Sequence, residues 1–477
     1  MSEILGREVE VRRLNTAKNS RKSEFIAVYG RRRVGKTFLI REYFRNQMDF
    51  ELTGLANAST RQQLVNFQAT FQQQAAHTTP LPTPKNWIEA FQQLKTYLGG
   101  IKGQDKGKKV VFFDELPWLD TARSDFIMAL EHFWNSWASR RRDIILITCG
   151  SAASWMINKL INNHGGLHNR VTERIKMAPF NLRETEQMLR AKNIVLDRYQ
   201  IIQLYMAMGG IPFYLDAIRP GLSAWQIIEE LCFRKGALLA SEFQHLFASL
   251  FKKPAKHELI VTTLATKTKG LTRKELIKAT GLSSGGGLTR TLRELEESGF
   301  ITSYTPFNRL SRDTLYRVSD FYSLFYLRFI KNNRNYDPGV WVNAIDDSSH
   351  RAWSGYSFEQ VCLAHIQQIK KALGISGIVS HASSWKSPNP ENPAQVDLLI
   401  DRRDKVINLC EIKYSIAPYR IDKSYAEILR TRINAFRTET RTRKGIFLTM
   451  ITTYGLQMNQ YSNSLVQSSV TMDALFE

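Results

Sequence analysis

The sequence predicts a multidomain α/β protein with a parallel sheet in its amino-terminal third and a smaller α/β domain at its carboxyl end. In the first third, short apolar runs alternate with segments of helical spacing, which is typical of a parallel sheet covered by helices. The middle of the chain has the pattern of amphipathic helices. The last third contains two apolar runs separated by a charged turn, as in a β-hairpin. With 477 residues, the chain has room for about three domains.

Composition and charge exclude several classes of protein. Hydrophobic residues make up 43% and charged residues 23% of the chain, and these globular values exclude a disordered or collagen-like protein. The 66 Lys and Arg residues exceed the 44 Asp and Glu residues, which gives a net charge of +22. Such an excess predicts a polyanionic partner, either nucleic acid or an anionic membrane, and DNA is the partner we expect. The alternative is a basic protein without such a partner.

The sequence also indicates where the protein functions. No apolar run approaches the roughly 20 residues that a membrane helix needs, so we expect no membrane insertion. The first ten residues are acidic and mixed, unlike a signal peptide. Four cysteines without metal-ligand spacing lie in apolar segments, at Cys149, Cys232, Cys362 and Cys410. We expect them to be reduced core thiols of a cytoplasmic protein.

The first element with clear chemistry is a glycine-rich loop between an apolar run, Phe25 to Tyr29, and a segment of helical spacing. The loop reads GRRRVGKT, which fits the phosphate-binding pattern GxxxxGK[ST] between a strand and a helix. Its glycines allow backbone N–H groups to face phosphate oxygens, and Lys36 would reach the β- and γ-phosphates. The alternative is a basic turn. The residues predicted to bind ATP here are Gly30, Arg31, Arg32, Arg33, Val34, Gly35, Lys36, Thr37 and Phe38.

A second apolar run, from Val110, ends in the acidic pair Asp114 and Glu115. Asp114 would hold Mg²⁺ through water, and the Thr37 hydroxyl would ligate the same ion. Glu115 would orient and deprotonate the attacking water. An acidic pair at this position is often only a helix cap, but after a phosphate-binding loop it predicts ATP hydrolysis. Lys36 and Glu115 are therefore the predicted catalytic residues of the ATPase.

A third apolar run, Asp143 to Ser151, ends in a serine. Ser151 would sense the γ-phosphate, or it would cap a helix that begins near Ala152. Arg170 and Arg174 would stabilise the transition-state charge, or they would be solvated surface residues. An arginine acting on a neighbouring subunit would require an oligomer, which the sequence leaves open.

These segments together resemble the archaeal-type ATPases of the AAA+/STAND group of P-loop proteins. The resemblance rests on the loop, on the FFDE segment, and on four further segments in the expected order: LGREVEVRRL, TCGSAASWM, APFNLRE and MGGIPFYL. It implies a P-loop NTPase sheet with a helical lid, and a contact between Pro212 and the nucleotide base. A tight turn before a helix is the alternative for Pro212 and its two preceding glycines.

The pattern predicts four domains: a P-loop ATPase core at 1–184, a helical lid at 185–256, a winged helix at 257–330 and a nuclease-like domain at 331–477. In the third, two short helices precede a two-stranded hairpin. The second helix would place Thr289, Arg290 and Arg293 against DNA, or the module would be a rigid connector. A polar stretch from Asn335 to Gly355 is expected to be a linker, and residues 355–369 are expected to form a helix.

The last domain contains the spacing D…ExK. Asp397 lies in the first strand of the predicted hairpin, and Glu411 and Lys413 lie two apart in the second, hence on one face. This spacing resembles the PD-(D/E)XK, restriction-endonuclease-like fold, in which Glu359 on the preceding helix would complete a metal site with Asp397 and Glu411. The alternative is a solvated strand face with a Glu–Lys pair.

A basic segment follows, Tyr419 to Gly445, and it would be a phosphate track or a solvated helix face. We therefore expect a cytoplasmic ATPase that uses ATP and Mg²⁺ and is coupled to a Mg²⁺-dependent DNA nuclease site with Asp397, Glu411 and Lys413 as catalytic residues. The alternatives are a STAND-like regulatory switch or DNA-bound protein that does not cut, and a membrane-surface ATPase.

Overall fold

The computed structural model describes residues 4–75, 82–101, 107–162, 167, 169–251, 253–267, 269–333, 339–344, 347–389 and 393–477. The chain divides into two compact units, Met1–Ala178 with Glu297–Gly299, and Pro179–Glu296 with Phe300–Glu477. Of the helices in the described ranges, none combines the length and apolar character needed to cross a membrane. The four-domain division predicted from the sequence stays a prediction.

Unit one is built on a parallel sheet of five strands, which confirms the α/β class predicted for this part. Three central strands consist mostly of apolar side chains and are buried almost throughout, as expected where helices cover both faces. The strands are β1 (Glu24–Tyr29), β2 (Met48–Thr53), β3 (Lys109–Asp114), β4 (Ile144–Gly150) and β5 (Glu173–Lys176). The helices are α1 (Glu8–Asn19), α2 (Lys36–Tyr43), α3 (Thr60–Gln74), α4 (Trp87–Gly100), α5 (Leu116–Leu119), α6 (Phe126–Ser136) and α7 (Ala153–Trp155), with a 3₁₀ turn at Ala138–Arg140 and a π turn at Met156–Ile161.

The order of the strands in this sheet is β2-β3-β4-β1-β5. β4 is therefore inserted between β1 and β3, pairing in parallel with both. Ligands of open parallel sheets bind outside the carboxyl ends of the strands. The order thus brings the segments that follow β1, β3 and β4 to one edge.

Unit two contains thirteen α-helices within the described residues and two sheets. The helices are α8 (Leu182–Ala191), α9 (Arg198–Met208), α10 (Pro212–Asp216), α11 (Ala224–Ile228), α12 (Glu242–Leu250), α13 (Ala255–Ala265), α14 (Arg273–Thr280), α15 (Gly286–Glu297), α16 (Phe321–Phe325), α17 (Ser348–Ala364), α18 (Ile366–Ala372), α19 (Lys423–Thr440) and α20 (Gln460–Leu465). Shorter π or 3₁₀ turns are Glu229–Phe233, Ser311–Asp313, Tyr326–Ile330, Val342–Ala344 and Met472–Phe476. The strands are β6 (Leu271–Thr272), β7 (Ile301–Tyr304), β8 (Leu315–Val318), β9 (Ser380–Lys386), β10 (Gln395–Arg402), β11 (Val406–Lys413), β12 (Gly445–Thr452) and β13 (Ser468–Thr471).

The larger sheet of unit two is mixed. Its order is β13-β12-β11-β10-β9, with antiparallel pairs among β9, β10 and β11 and parallel pairs among β11, β12 and β13. The predicted hairpin is thus present as β10 and β11. α17 precedes this sheet in the chain, and α19 connects β11 to β12 as a crossover between parallel strands.

The region before this sheet corrects two expectations. The predicted linker from Asn335 is wrong at its end, because α17 already begins at Ser348 and buries Trp353; residues 334–338 and 345–346 lie outside the described ranges. The helix predicted over 355–369 is interrupted at His365. The buried His365 ring accepts from the Leu182 N–H at 3.0 Å and donates to the Val361 carbonyl at 2.8 Å. Burial lowers the pKa of His365 to about 4, so the ring is neutral near pH 7.

Candidate functional site

The loop between β1 and α2 has the backbone form that its sequence predicts. Gly30 has φ +149° and Gly35 has φ +85°, both in the region that glycine tolerates at low cost. α2 begins at Lys36, directly after the loop. The loop therefore ends at a helix N-terminus, where backbone N–H groups are available to phosphate oxygens.

Gly30→Ala is expected to disrupt this loop. A Cβ at Gly30 would meet the Met177 carbonyl oxygen at 2.2 Å, and the φ is unfavourable for any other residue. We expect a loss of about 1–3 kcal/mol in the free energy of unfolding, together with loss of nucleotide binding. Urea unfolding and ADP titration would measure both. Gly99→Ala is the control, because a methyl group at this position in α4 would have no neighbouring atom within 4 Å; equal effects of the two changes would contradict the prediction.

Lys36 is buried, with 5% of its side chain exposed, and its ammonium group makes three hydrogen bonds. It donates to the carbonyls of Gly30 at 3.0 Å and Arg31 at 2.8 Å, and to the Ser151 hydroxyl at 3.0 Å. The positive charge is thus held inside the loop, where the phosphates of a nucleotide would offer it stronger acceptors.

The two oxygen groups predicted to hold Mg²⁺ are adjacent. The Thr37 hydroxyl donates to the Asp114 carboxylate at 2.9 Å. Asp114 ends β3 and is buried, with 4% exposed. One hydroxyl and one carboxylate beside a phosphate site are oxygen ligands that suit Mg²⁺, so these residues fit the metal that ATP hydrolysis uses.

Ser151 lies between Lys36 and Glu115 and does not cap a helix. The residue before α7 is Ala152, and that helix start has no side-chain cap. The Ser151 hydroxyl instead donates to the Glu115 carboxylate at 2.6 Å while it accepts from Lys36. Its backbone N–H also donates to Glu115, at 3.2 Å. Ser151 thereby joins the predicted phosphate ligand to the predicted general base.

Sequence reasoning missed Arg7, although it lies in the LGREVEVRRL segment. Arg7 is buried, and its guanidinium donates to the Val34 carbonyl at 2.9 Å and to the Ala178 carbonyl at 2.8 Å. It therefore connects the phosphate-binding loop to the end of unit one. An arginine preceding a helix in a weakly apolar segment gives no signal of such a contact.

The other predicted residues of this site differ in environment. Arg31 and Val34 are buried, Arg32 and Arg33 are half-buried, and Phe38 is 47% exposed. Arg170 and Arg174 are both exposed. Pro212 lies in unit two at the first position of α10, after Gly209 with φ +66°, so the tight turn is present. Its contact with a nucleotide stays a prediction.

The D…ExK residues come together in unit two. Leu398 pairs with Cys410 across β10 and β11, and Asp397 and Glu411 are the next residues along the two strands. A cavity of about 600 Å³ is lined by Asp397, Glu411 and Lys413 and also by Glu359 of α17. The structure thus brings together the four residues that the sequence predicted to act jointly.

The carboxylates in this cavity interact unequally. Burial, and next the charges of Asp397 and Glu411, raise the pKa of Glu359 to about 8. Asp397 accepts a hydrogen bond from the Gln395 amide. Glu411 is 7% exposed, and it is bound by Arg432, by the Tyr425 hydroxyl and, at 3.1 Å, by Lys413.

The carboxyl groups of this cavity can be compared with the ligands that a Mg²⁺ ion requires. Three carboxyl groups lining one cavity are the ligands that Mg²⁺ prefers. Within the described part of the chain, however, no group of three His, Cys, Asp or Glu side chains is arranged so that it could hold a metal ion. The donor set fits Mg²⁺ by its chemistry, and Glu411 would have to leave Arg432 to serve as a ligand.

From the sequence, Arg432 was predicted only to be one of several basic residues on a helix. Its partner Glu411 lies 21 positions away on another element, so spacing could not indicate the contact. Of the other residues in that basic segment, Arg430 and Arg437 are exposed, and Lys444 donates to Asp401 at 2.5 Å. The segment is therefore partly solvated and partly built into the carboxyl-terminal sheet.

Comparison with known proteins gives a family match and a distant relative. Residues 4–218 match a family described as an ATPase domain predominantly from Archaea. An uncharacterized protein of Methanocaldococcus jannaschii is 22% identical over 434 residues, which cover 90% of this chain and 91% of the relative.

Two solved structures show more distant similarity. A Walker-type ATPase of Pyrococcus abyssi is 18% identical, with a TM-score of 0.48, over 68% of this chain and 96% of that chain. The ORC2 protein of Aeropyrum pernix is 13% identical, with a TM-score of 0.39, over 69% of this chain and 94% of that chain.

The family match and the geometry of the loop carry the assignment, because both TM-scores lie below 0.5. The matched region contains the loop, the buried lysine, the hydroxyl–carboxylate pair and Glu115. Residues 4–218 of this chain therefore match the family of ATPase domains found predominantly in Archaea, and the protein is an ATPase.

Proposed function

We propose that this ATPase also carries a Mg²⁺-dependent DNA nuclease site in unit two, and that its nucleotide state controls that site. The observation that carries the proposal is the convergence of Glu359, Asp397, Glu411 and Lys413 on one cavity. They come from a helix and two paired strands, so their convergence depends on the fold and not on nearness in sequence.

The order of elements supports the same proposal. α17 and the short α18, the antiparallel strands β9 to β11, the crossover α19 and the parallel strand β12 follow one another along the chain, in the order helices, three strands, helix, strand. This order is the one expected for a restriction-endonuclease-like core. It places the acidic residues of β10 and β11 beside α17, which supplies Glu359.

Each side chain has a definable role in phosphodiester hydrolysis. A bound Mg²⁺ supplies an activated water and neutralises negative charge on the phosphate. Glu359, Asp397 and Glu411 would hold it, and Gln395 orients Asp397 by its hydrogen bond. The Lys413 ammonium group lies 3.1 Å from the Glu411 carboxylate, and it would stabilise negative charge on the reacting phosphate.

Cleavage of labelled single-stranded, duplex and branched DNA tests the proposal. We expect cutting with Mg²⁺ or Mn²⁺, none with EDTA, and none from Asp397→Asn, which keeps the shape but removes the charge of a metal ligand. Asp404→Asn is the control, because Asp404 lies in the exposed turn of the same hairpin. Cutting by Asp397→Asn at the wild-type rate would contradict the nuclease assignment.

One observation favours a second function, a nucleotide-controlled DNA-binding switch that does not cut. Arg432 and Tyr425 bind the two oxygens of Glu411, so the carboxylate is satisfied by protein groups. A site kept in this state would bind DNA without hydrolysing it. Salt-dependent DNA binding without cutting on any substrate, while ATP is still turned over, would establish the switch instead.

A further inference from the structure

A groove in unit two extends beyond the four acidic and basic residues of the proposed nuclease site. It consists of the cavity described above and a second one of about 610 Å³. The two cavities share the lining residues Lys269, Lys386, Gln395 and Arg432. Because they share these residues they are adjacent, and we refer to both together as the basic groove.

Positive charge dominates the basic groove. The first cavity has six cationic side chains against three carboxyl groups: Lys269, Arg317, Arg351, Lys386, Lys413 and Arg432. Lys413 and Arg432 are bound to Glu411. Within the part of the chain that the structure describes, Lys269, Arg317 and Lys386 form no salt bridge, so their charges remain available to an anion.

Arg317 lies on β8, and a contact with Tyr304 of β7 fixes its position. Its guanidinium stacks over the Tyr304 ring, 4.6 Å from the centroid. The Tyr304 hydroxyl donates to the Lys269 carbonyl at 2.8 Å, which ties the hairpin to the turn that carries Lys269. The Arg317 Nε is shielded from solvent and has no hydrogen-bond partner among the described residues. A guanidinium stacked on an aromatic face keeps its in-plane N–H groups free for phosphate oxygens.

From this geometry we propose that the basic groove binds the backbone of a DNA strand, with Lys269 and Arg317 of the hairpin module acting together with Lys386 and Arg432. The choice of DNA rests on the proposed nuclease function. A single phosphate would need one cluster of cations, whereas charges in two adjacent cavities suit the repeated phosphates of a strand. From the module with β6, β7 and β8, the contacts then come from Lys269 and Arg317. They do not come from α15, where the sequence placed Thr289, Arg290 and Arg293.

Binding of a fluorescein-labelled DNA oligonucleotide to the full chain, measured by anisotropy in EDTA over a range of salt concentrations, tests this inference. We expect Arg317→Gln and Lys386→Gln each to weaken binding about three- to tenfold and to lower the slope of log K against log salt by about 1. Arg312→Gln is the matched control, because Arg312 is exposed on the same hairpin but does not line the groove.

The outcomes separate this inference from the proposed nuclease. Unchanged binding by Arg317→Gln and Lys386→Gln, or a loss equal to that of Arg312→Gln, would overturn it, as would a loss seen with RNA alone. Lys386 is exposed, so its variant tests the groove even if Arg317→Gln unfolds. If the wild-type protein never cuts DNA but both variants bind it more weakly, the nuclease proposal fails and the groove stands.

Discussion

Lys36→Ala is expected to reduce ATP turnover at least about 10²-fold, because it removes the charge that would face the β- and γ-phosphates. The lysine is buried in the loop, and the chain offers no second ammonium group at hydrogen-bond distance from both Gly30 and Ser151 among the described residues. Phosphate release with saturating ATP and Mg²⁺ measures the loss. The control is Lys22→Ala, which removes an ammonium group from a side chain that is 68% exposed.

A second variant separates binding from hydrolysis. Glu115→Gln keeps the hydrogen-bonding shape next to Ser151 but cannot accept a proton from water. We expect it to bind ATP normally and to hydrolyse it slowly, whereas Lys36→Ala should lose affinity as well. Turnover by Lys36→Ala at the wild-type rate would contradict the role of the loop. Cleavage assays on the same two proteins then report whether bound ATP or its hydrolysis controls the nuclease site.

Glu411→Gln is expected to lower the rate of DNA cleavage about 10³-fold or more, because it removes a charged ligand of the proposed metal site. The change is nearly isosteric, so Arg432, Tyr425 and Lys413 keep a polar neighbour. Asp404→Asn is the control: it also replaces a carboxylate by an amide, on an exposed residue of the same hairpin that lines neither cavity.

Two measurements make this result interpretable. Thermal unfolding shows whether Glu411→Gln remains folded, and DNA binding in EDTA shows whether it still takes up substrate. We expect folding and binding to be retained while cutting disappears. If Glu411→Gln cuts DNA as fast as Asp404→Asn, β10 and β11 do not carry the active site.

The loop and the acidic pair of unit one could be predicted from the sequence because their chemistry is local. Residues 30–37 are consecutive, and a glycine is required where φ is +149° or +85°. Asp114 and Glu115 follow directly on an apolar strand. In unit two, alternation along β11 placed Glu411 and Lys413 on one face. The polar stretch from Asn335 to Gly355 was wrongly predicted to be a linker up to its end. The burial of Trp353 in α17 outweighs the polar residues around it.

The sequence by itself determined the two strand-and-loop patterns that carry the chemistry. The tertiary structure decided which distant residues meet them. In the strand order of the sheet, β4 lies between β1 and β3. This position lets Ser151, which follows β4, connect Lys36 to Glu115. Arg7, Arg317 and Arg432 likewise reach their sites from elements far away in the chain. Contacts of this kind depend on how helices and strands pack, and packing leaves no fixed spacing in a sequence.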